Sequence, residues 1–266
     1  MPKVLTMFKN SQREKRRLKR GAYLLPSMFT VANMFCGWAC IVYSMRGEFS
    51  TAAPFIGFAM VLDLLDGRIA RATGATSDFG VEFDSLADIV SFGIAPATLV
   101  FSWGLQPLGR LGWAIGFLWL TAAAVRLARF NVQREEGSHR YFVGLPSPAA
   151  AGVPAATVFA LPELILEPSG TLGAFFVVLV PAILMVSRIR FRSFNSLIPG
   201  RSRSYSTPLF IAVVIAAISA QPQVVLLVMA YSYLLSGLVG FVVNGRTSES
   251  VEDTAVKNQD ASSKSA

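Results

Sequence analysis

The chain has 266 residues, of which 53% are hydrophobic and only 15% are charged. Because a soluble domain carries about 25% charged residues, this composition excludes an ordinary soluble globular protein and indicates a membrane protein with several spans. The formal net charge is +8. In a protein of this class a basic excess reports membrane orientation and contact with anionic lipids, so we expect no nucleic-acid partner.

The first segment, residues 1–25, is rich in Lys and Arg and also contains Leu, Met and Phe. This mixture predicts a short amphipathic basic helix that lies on the cytoplasmic leaflet and binds anionic headgroups. A solvated basic tail is the alternative. The apolar run that follows has no small-residue cleavage site, so we predict no cleavable signal peptide.

Apolar runs fill residues 26–243 and predict an all-α polytopic membrane protein with about eight transmembrane helices. Each run has about 15–22 residues, enough for a core of about 30 Å if the shorter helices tilt or thin the bilayer. The tail 244–266 has no aromatic residue and is predicted to be disordered. The predicted spans are 26–46, 51–71, 82–103, 110–130, 146–165, 171–188, 206–220 and 223–243.

The distribution of basic residues predicts the orientation of the spans. With the N-terminus in the cytoplasm and eight spans, the outer loops keep only Arg46 and Arg110 of the 24 Lys and Arg residues. Cytoplasmic loops of membrane proteins carry the excess of Lys and Arg. We therefore expect both termini on the cytoplasmic side.

The most informative stretch runs from Asp63 to Asp88 and places four aspartates at the ends of two apolar runs. An ionised Asp costs about 3 kcal/mol at the centre of a membrane helix, so it needs a partner and usually has a function. Asp63 and Asp66 share one helix face, and Asp84 and Asp88 share another. If the two helices are antiparallel neighbours across a turn at 73–77, all four carboxylates converge. Such a cluster requires cations, and its hard oxygen ligands predict Mg²⁺ or Mn²⁺.

Two carboxylates on each of two facing helices suit a pair of divalent cations about 3.5–4 Å apart, the arrangement used for in-line phosphoryl displacement. Gly67, Ala70 and Gly80 lie on the same faces as the aspartates. Small residues there allow either a ligand to approach the backbone or two helices to pack closely. Arg71 continues the first face at the membrane edge, where it either neutralises a phosphate or extends its charge toward water.

These residues follow the pattern D-x2-D-G-x2-A-R-x8-G-x3-D-x3-D, which resembles the signature of the CDP-alcohol phosphatidyltransferase family in every fixed position. Members of that family are integral membrane enzymes, usually dimers, that move a phosphatidyl group from a CDP-linked lipid to an alcohol and release CMP. The resemblance implies that Asp63, Asp66, Asp84 and Asp88 hold two divalent cations and that Asp88 is also the general base. It implies that the CDP group is bound by Thr30, Asn33, Gly67, Ala70, Arg71 and Gly80.

Four stretches outside this pattern resemble the bacterial and archaeal branch of the family that uses L-serine as the acceptor; they are 78–96, 126–131, 142–152 and 184–194. This resemblance implies CDP-diacylglycerol and L-serine as substrates, CMP as a product, and a homodimer in the bacterial inner (cytoplasmic) membrane. One position departs from the family pattern: its usual Pro-Asn opening of the first span reads Pro26-Ser27 here.

Serine is a zwitterion, so its site needs an anion-binding group for the carboxylate. Arg126 and Arg129 lie at i and i+3 near the cytoplasmic end of the fourth predicted span, with Asn131 just beyond. We predict that one of these arginines binds the serine carboxylate or a lipid phosphate; anchoring at the membrane surface is the alternative role. Ser91 and Glu82 are further candidates for the serine site.

Two other functions remain open from the sequence. Within the family, the acceptor could be glycerol 3-phosphate or inositol phosphate, although these dianions demand more convergent basic residues than one carboxylate does. In a different class, the aspartates could form the conduction site of a divalent-cation transporter, because carboxylates inside a membrane also mark ion paths. The position of the aspartates at the cytoplasmic edge and the interleaved Gly, Ala and Arg residues favour the enzyme.

Overall fold

The computed structural model describes residues 27–73, 77–135, 142–187, 190–191 and 206–237. The predicted surface helix at 1–25 and the predicted disordered tail at 244–266 lie outside the described residues, so both stay predictions. Within the described ranges the regular secondary structure is helical apart from one pair of two-residue strands.

The described chain forms nine α-helices and two short strands. The helices are α1 (Ser27–Met45), α2 (Phe49–Thr73), α3 (Asp78–Asp88), α4 (Ala95–Val100), α5 (Arg110–Glu135), α6 (Ser147–Ala160), α7 (Pro168–Val186), α8 (Ser206–Ala220) and α9 (Pro222–Gly237). Strands β1 (Phe142–Val143) and β2 (Arg190–Phe191) pair in antiparallel register.

Five helical segments of the described chain are long and apolar enough to cross a bilayer. They are Ser27–Met45, Phe49–Ile69, Asp78–Leu108, Arg110–Val132 and Pro168–Val186. The protein is therefore a helical integral membrane protein, as the composition predicts. The helices α6, α8 and α9 are shorter than these five, and the predicted number of eight spans stays a prediction.

The third of these segments, Asp78–Leu108, is one continuous helical path that contains two π-helical turns and one 3₁₀ turn. After α3 the backbone forms a π-helical turn over Ile89–Ile94, and after α4 it forms a second π turn over Phe101–Leu105 and a 3₁₀ turn over Gln106–Leu108. Pro96 in the first turn of α4 has no N–H to donate to the preceding turn. The Trp119 indole on α5 donates instead to the carbonyl oxygen of Phe92, at 3.2 Å.

The fifth predicted span, 146–165, is longer than the helix that the chain forms there, because α6 ends at Ala160. The following segment lies against the second π turn. The indole of Trp103 donates to the carbonyl oxygen of Leu161 at 2.8 Å, and the backbone N–H of Ile165 donates to the carbonyl oxygen of Trp103 at 3.0 Å. These two bonds satisfy backbone groups in a non-helical segment, which is a requirement inside a membrane protein.

The apolar core lies between α2, α6, α7 and the two π turns, where Phe92, Trp103 and Trp119 are fully buried. On one side of this core, α1 approaches the first π turn very closely. A Cβ atom at Gly37 would lie 2.7 Å from Oγ and 2.8 Å from Cα of Ser91, so only glycine fits without a shift. Close packing of α1 against the third span brings polar residues of α1 to the aspartates of α2 and α3.

Candidate metal centre

Three of the four predicted aspartates meet at the ends of α2 and α3. One carboxylate oxygen from each of Asp63, Asp84 and Asp88 lies within 4.8 Å of the other two. Three anionic groups this close repel each other strongly away from bulk water, so they need a positive counter-charge. Oxygen donors of this kind fit a hard divalent cation. The spacing argument predicts that all four carboxylates converge, and the structure brings three of them together within this distance, while the metal roles of the individual residues stay predictions.

Asp66, the fourth aspartate, is buried beside α1. Its Oδ2 accepts a short hydrogen bond from the hydroxyl of Thr30, which is also buried. Asp66 is not one of the three residues whose oxygens lie within 4.8 Å of one another. The structure therefore places Asp66 one turn along α2 from Asp63 with Thr30 as its observed partner.

Asn33 lies one turn along α1 from Thr30 and has no exposed surface. Its side-chain nitrogen donates to Oδ1 of Asp88 at 3.3 Å, and its backbone carbonyl oxygen accepts from the hydroxyl of Ser91 at 2.9 Å. Its side-chain oxygen, Oδ1, is buried and has no hydrogen-bond partner among the described residues. The two residues predicted to bind CDP from α1 thus each contact an aspartate.

Arg126 on α5 is the basic residue that the structure brings to the carboxylates. It is close enough to Asp88 and Asp63 for electrostatic attraction to both. Its Nη1 donates to the hydroxyl of the fully buried Ser147 at 2.8 Å, and its guanidinium lies 5.3 Å from the centroid of the Phe130 ring. These contacts hold a cation in a defined orientation beside the acidic cluster.

The other three residues predicted to bind serine have different neighbours. Arg129 donates from Nη1 to the carbonyl oxygen of Val186 at 3.2 Å, where α7 ends. Asn131 donates to the hydroxyl of Ser85 at 2.9 Å. Ser91 has no exposed surface, and its hydroxyl is engaged by Asn33. The serine-binding roles of all four residues stay predictions, and Arg126 is the candidate that the structure places beside Asp63 and Asp88.

The small residues of the motif line the same region. Gly67 follows Asp66 on α2 and is half-buried. Gly80 lies in the first turn of α3, where its N–H donates to the hydroxyl of the N-cap residue Ser77 at 3.0 Å. This bond satisfies a backbone N–H that has no acceptor within the helix, and it stabilises the start of the helix that carries Asp84 and Asp88. The side chains of Ala70 and Arg71 lie outside the described residues, and Glu82 is exposed.

Two residues near the site were not predicted from the sequence. Ser147 begins α6 and holds Arg126. Tyr233 on α9 is half-buried and interacts electrostatically with Arg126. The hydroxyls of Tyr231 and Thr157, 3.0 Å apart, tether α9 to α6 next to this position. Neither Ser147 nor Tyr233 lies in a recognisable spacing pattern with the aspartates; Ser147 falls within the stretch 142–152 that resembles the serine-using branch, but the sequence alone gives it no role.

The fold and the site together define a helical membrane protein with a cluster of carboxylates, of a kind that suits a divalent cation, where two of its spans meet. This chain belongs to the CDP-alcohol phosphatidyltransferase family, which it matches over residues 23–189. The match confirms the family that the aspartate pattern predicts, and it includes α1 to α7.

Named relatives extend this match. The chain is 35% identical over 224 residues to the CDP-diacylglycerol–serine O-phosphatidyltransferase of Helicobacter pylori strain J99, which covers 83% of this chain and 92% of that protein. It is 34% identical over 171 residues to the protein of the same name from Bacillus subtilis strain 168, covering 64% of this chain and 91% of the relative. It is also 34% identical over 169 residues to the archaetidylserine synthase of Methanothermobacter thermautotrophicus, and this alignment covers 63% of this chain and 69% of the relative.

Proposed function

We propose that this protein transfers the phosphatidyl group of CDP-diacylglycerol to the hydroxyl of L-serine and releases CMP. The observation that carries the proposal is the meeting of Asp63, Asp84 and Asp88 with Arg126 beside them, since it unites a metal centre and an anion-binding group. The family and the serine-transferase relatives, matched over most of their length, support the same reaction.

The cofactor in this proposal is a pair of divalent cations, Mg²⁺ or Mn²⁺, held by Asp63, Asp84 and Asp88 with Asp66 at the edge of the site. When bound, these cations neutralise the diphosphate of the donor lipid and stabilise the charge that develops on the departing CMP. The mutual repulsion of the three carboxylates fits this role, because each added positive charge stabilises all three.

Asp88 is proposed to act as the general base. The serine hydroxyl is a very weak acid, so it must lose its proton as its oxygen attacks phosphorus. The new bond forms between the serine oxygen and the phosphorus that carries diacylglycerol, the bond from that phosphorus to CMP breaks, and the proton passes to the Asp88 carboxylate.

The CDP group is proposed to lie against Thr30, Asn33, Gly67, Ala70, Arg71 and Gly80. The buried Oδ1 of Asn33, which has no partner in the described part of the chain, supports this placement because it can accept a hydrogen bond from a substrate donor. The half-buried Gly67 supports it as well, since a residue without a side chain lets a ligand approach the backbone.

Arg126 is proposed to bind the serine carboxylate. Ser147 and Phe130 hold its guanidinium, and its attraction to Asp88 places it near the proposed base. Serine is small enough for its carboxylate to pair with Arg126 while its hydroxyl lies near Asp88. A dianionic acceptor such as glycerol 3-phosphate would need further cations, and Arg129 is engaged instead with the end of α7. This difference favours serine over the phosphorylated acceptors.

We also propose that the reaction takes place on the cytoplasmic side of the bacterial inner membrane and that both termini lie on that side. The concentration of Lys and Arg in the loops on this side supports the orientation. The homodimer follows from the family resemblance and is part of the same proposal.

The proposal is tested by CMP release from CDP-diacylglycerol by the purified full-length protein, with serine, glycerol 3-phosphate or inositol phosphate as acceptor. We expect release that depends on serine and on Mg²⁺ or Mn²⁺, and a loss of about 10²–10⁴-fold in Asp88→Asn. Asp78→Asn is the matched control, because Asp78 is exposed at the start of the same helix. Release with another acceptor alone would overturn the choice of serine, and metal flux into liposomes without CMP release would indicate a transporter.

The serine site is tested separately with Arg126→Lys and Arg129→Lys. Lysine keeps the charge but loses the planar, multidentate donor geometry of arginine. We expect Arg126→Lys to raise the KM for serine about 10–100-fold, the loss of a charge-assisted hydrogen bond, with the KM for CDP-diacylglycerol unchanged. Arg129→Lys should leave both KM values unchanged. Unaltered serine kinetics in both variants would exclude Arg126 from the serine site.

A further inference from the structure

We propose that Asn33 is a positioning residue for Asp88 and that Ser91 holds Asn33 in place. The Ser91 hydroxyl, in the first π turn, donates to the backbone of α1 at Asn33, and the Asn33 side chain donates to the proposed base. This inference rests on the proposed function, because it takes Asp88 as the group that removes the serine proton.

The first observation is the bond between Asn33 and Asp88. An ionised carboxylate can only accept hydrogen bonds, so the amide group must present its nitrogen, as it does at 3.3 Å from Oδ1. The bond engages one of the two carboxylate oxygens and limits the rotation of the group. A general base works only when it is held within reach of the proton that it removes, so restricting this rotation favours the reactive geometry.

The second observation is that Asn33 is itself held. Its backbone carbonyl oxygen accepts a hydrogen bond from the Ser91 hydroxyl at 2.9 Å, and both residues are fully buried. The glycine at Gly37, one turn further along α1, allows the two backbones to come this close. Ser91 therefore joins α1 to the third span within one turn of Asp88.

The third observation is that packing does little to hold the helix that carries Asp88. Ala87 is the one buried residue of α3, and the regular helix gives way to the π turn directly after Asp88. On the opposite side, Asn131 of α5 bonds to Ser85 of α3. Polar contacts from α1 and α5 thus take the place of apolar packing in fixing the position of the carboxylate.

The experiment is steady-state kinetics on the full-length protein with Asn33→Ala, Ser91→Ala, Asp88→Asn and the double variant of Asn33 and Asp88. We expect Asn33→Ala to lower kcat about 10–100-fold, as the loss of a group that orients a catalytic residue typically does, with the KM for serine within about twofold of the wild type. The KM for CDP-diacylglycerol should rise as well, because the same side chain is proposed to contact the CDP group. In the Asp88→Asn background the same substitution should change turnover by less than about twofold, because the group it positions has been removed. Ser91→Ala should lower kcat about 2–10-fold, the loss of one neutral hydrogen bond.

The matched control is Ser44→Ala. Ser44 is also buried on α1, but its hydroxyl donates to the Cys40 carbonyl of its own helix at 2.6 Å, toward the other end of α1. We expect its kcat to equal that of the wild type. A purely structural role for Ser91 would lower the melting temperature and the yield of active protein without lowering turnover per folded molecule.

Two results would overturn the proposal. The first is a raised KM for CDP-diacylglycerol with unchanged kcat in Asn33→Ala, which would make Asn33 a donor-lipid contact only. The second is an equal loss from Asn33→Ala in the wild-type and Asp88→Asn backgrounds.

If Asn33→Ala does not fold, Asn33→Ser, which is too short to reach Asp88, replaces it. If turnover by Asp88→Asn is too slow to measure, the split between kcat and KM decides alone. Failure of the proposed function would appear separately, as the absence of serine-dependent CMP release in the wild type.

Discussion

The two halves of this protein are held together in different ways. Around the second π turn, α6 and α7, large side chains such as Trp103 and Trp119 are only 1% exposed. At the end of α2 and along α3, Phe79 is 76% and Leu86 63% exposed, and the contacts that fix the carboxylates are hydrogen bonds from α1 and α5. Apolar packing holds the fold, while polar side chains arrange the site. Substitutions in the packed half should therefore lower stability, and those at the site should lower turnover.

The largest effect is expected at the site, from Asp63→Asn. Removing one of three converging carboxylates weakens cation binding. Loss of a residue that merely supports a metal ligand typically lowers metal affinity or activity 10–100-fold, so loss of a ligand itself should lower activity at least about 100-fold. The measurement is CMP release across a range of Mg²⁺ and Mn²⁺ concentrations, together with the melting temperature in detergent. The melting temperature without metal should not fall, since one like charge has been removed. Full activity in excess chelator would contradict the metal centre.

The next effect is expected in the packed half, from Gly112→Ala. A Cβ atom at Gly112 would overlap the carbonyl oxygen of Leu105, and overpacking of this kind costs about 1–3 kcal/mol. We expect a lower melting temperature and an unchanged turnover per folded molecule. Gly116→Ala is the matched control on the same helix, because no atom lies within 4 Å of its added Cβ. A large loss of turnover in Gly112→Ala at full stability would break the division between the two halves.

A smaller effect is expected from Trp119→Phe. Phenylalanine keeps most of the apolar volume but cannot donate a hydrogen bond to the carbonyl oxygen of Phe92. The loss of this bond should lower the free energy of unfolding by about 0.5–1.5 kcal/mol. Thermal denaturation should detect the loss, and the KM for serine should stay the same. Equal melting temperatures for the variant and the wild type would show that the π turn does not depend on this bond.

The smallest effect is expected from Thr98→Val. Thr98 is half-buried on α4, and its hydroxyl donates to the Ile94 carbonyl of its own helical path at 2.9 Å. Valine has nearly the same shape, and a hydroxyl bonded within its own helix adds little to stability, so the change should stay within about 0.5 kcal/mol. Its melting temperature and kinetics should match those of the wild type. A fall in melting temperature as large as that expected for Gly112→Ala would contradict this prediction. It would mean that apolar packing holds the third span less tightly than the comparison of the two halves implies.

The sequence predicts the acidic centre well because helical spacing is a local property. Asp84 and Asp88 share a face of α3 by their separation alone, and α2 ends at Thr73, close in sequence to the start of α3 at Asp78, so that Asp63 lies near them. The bounds of α8 agree with the apolar run at 206–220 for the same reason. What depends on distant partners was not predicted. Asn33 and Asp88 are 55 residues apart, and the early end of α6 depends on Trp103, which lies 58 residues before Leu161.

The two π turns make the third span sensitive to its number of residues as well as to their identity. A π turn holds one residue more than an α turn, so Ile89–Ile94 takes up an extra residue while the helix on either side keeps its angular phase. Deleting a single residue there would allow an unbroken α-helix with the same phase, whereas deleting a second residue would rotate everything before the deletion by about 100° relative to everything after it. The aspartates would then face away from their neighbours while Trp103 stayed in the core, and a chain with every motif residue intact would still be inactive.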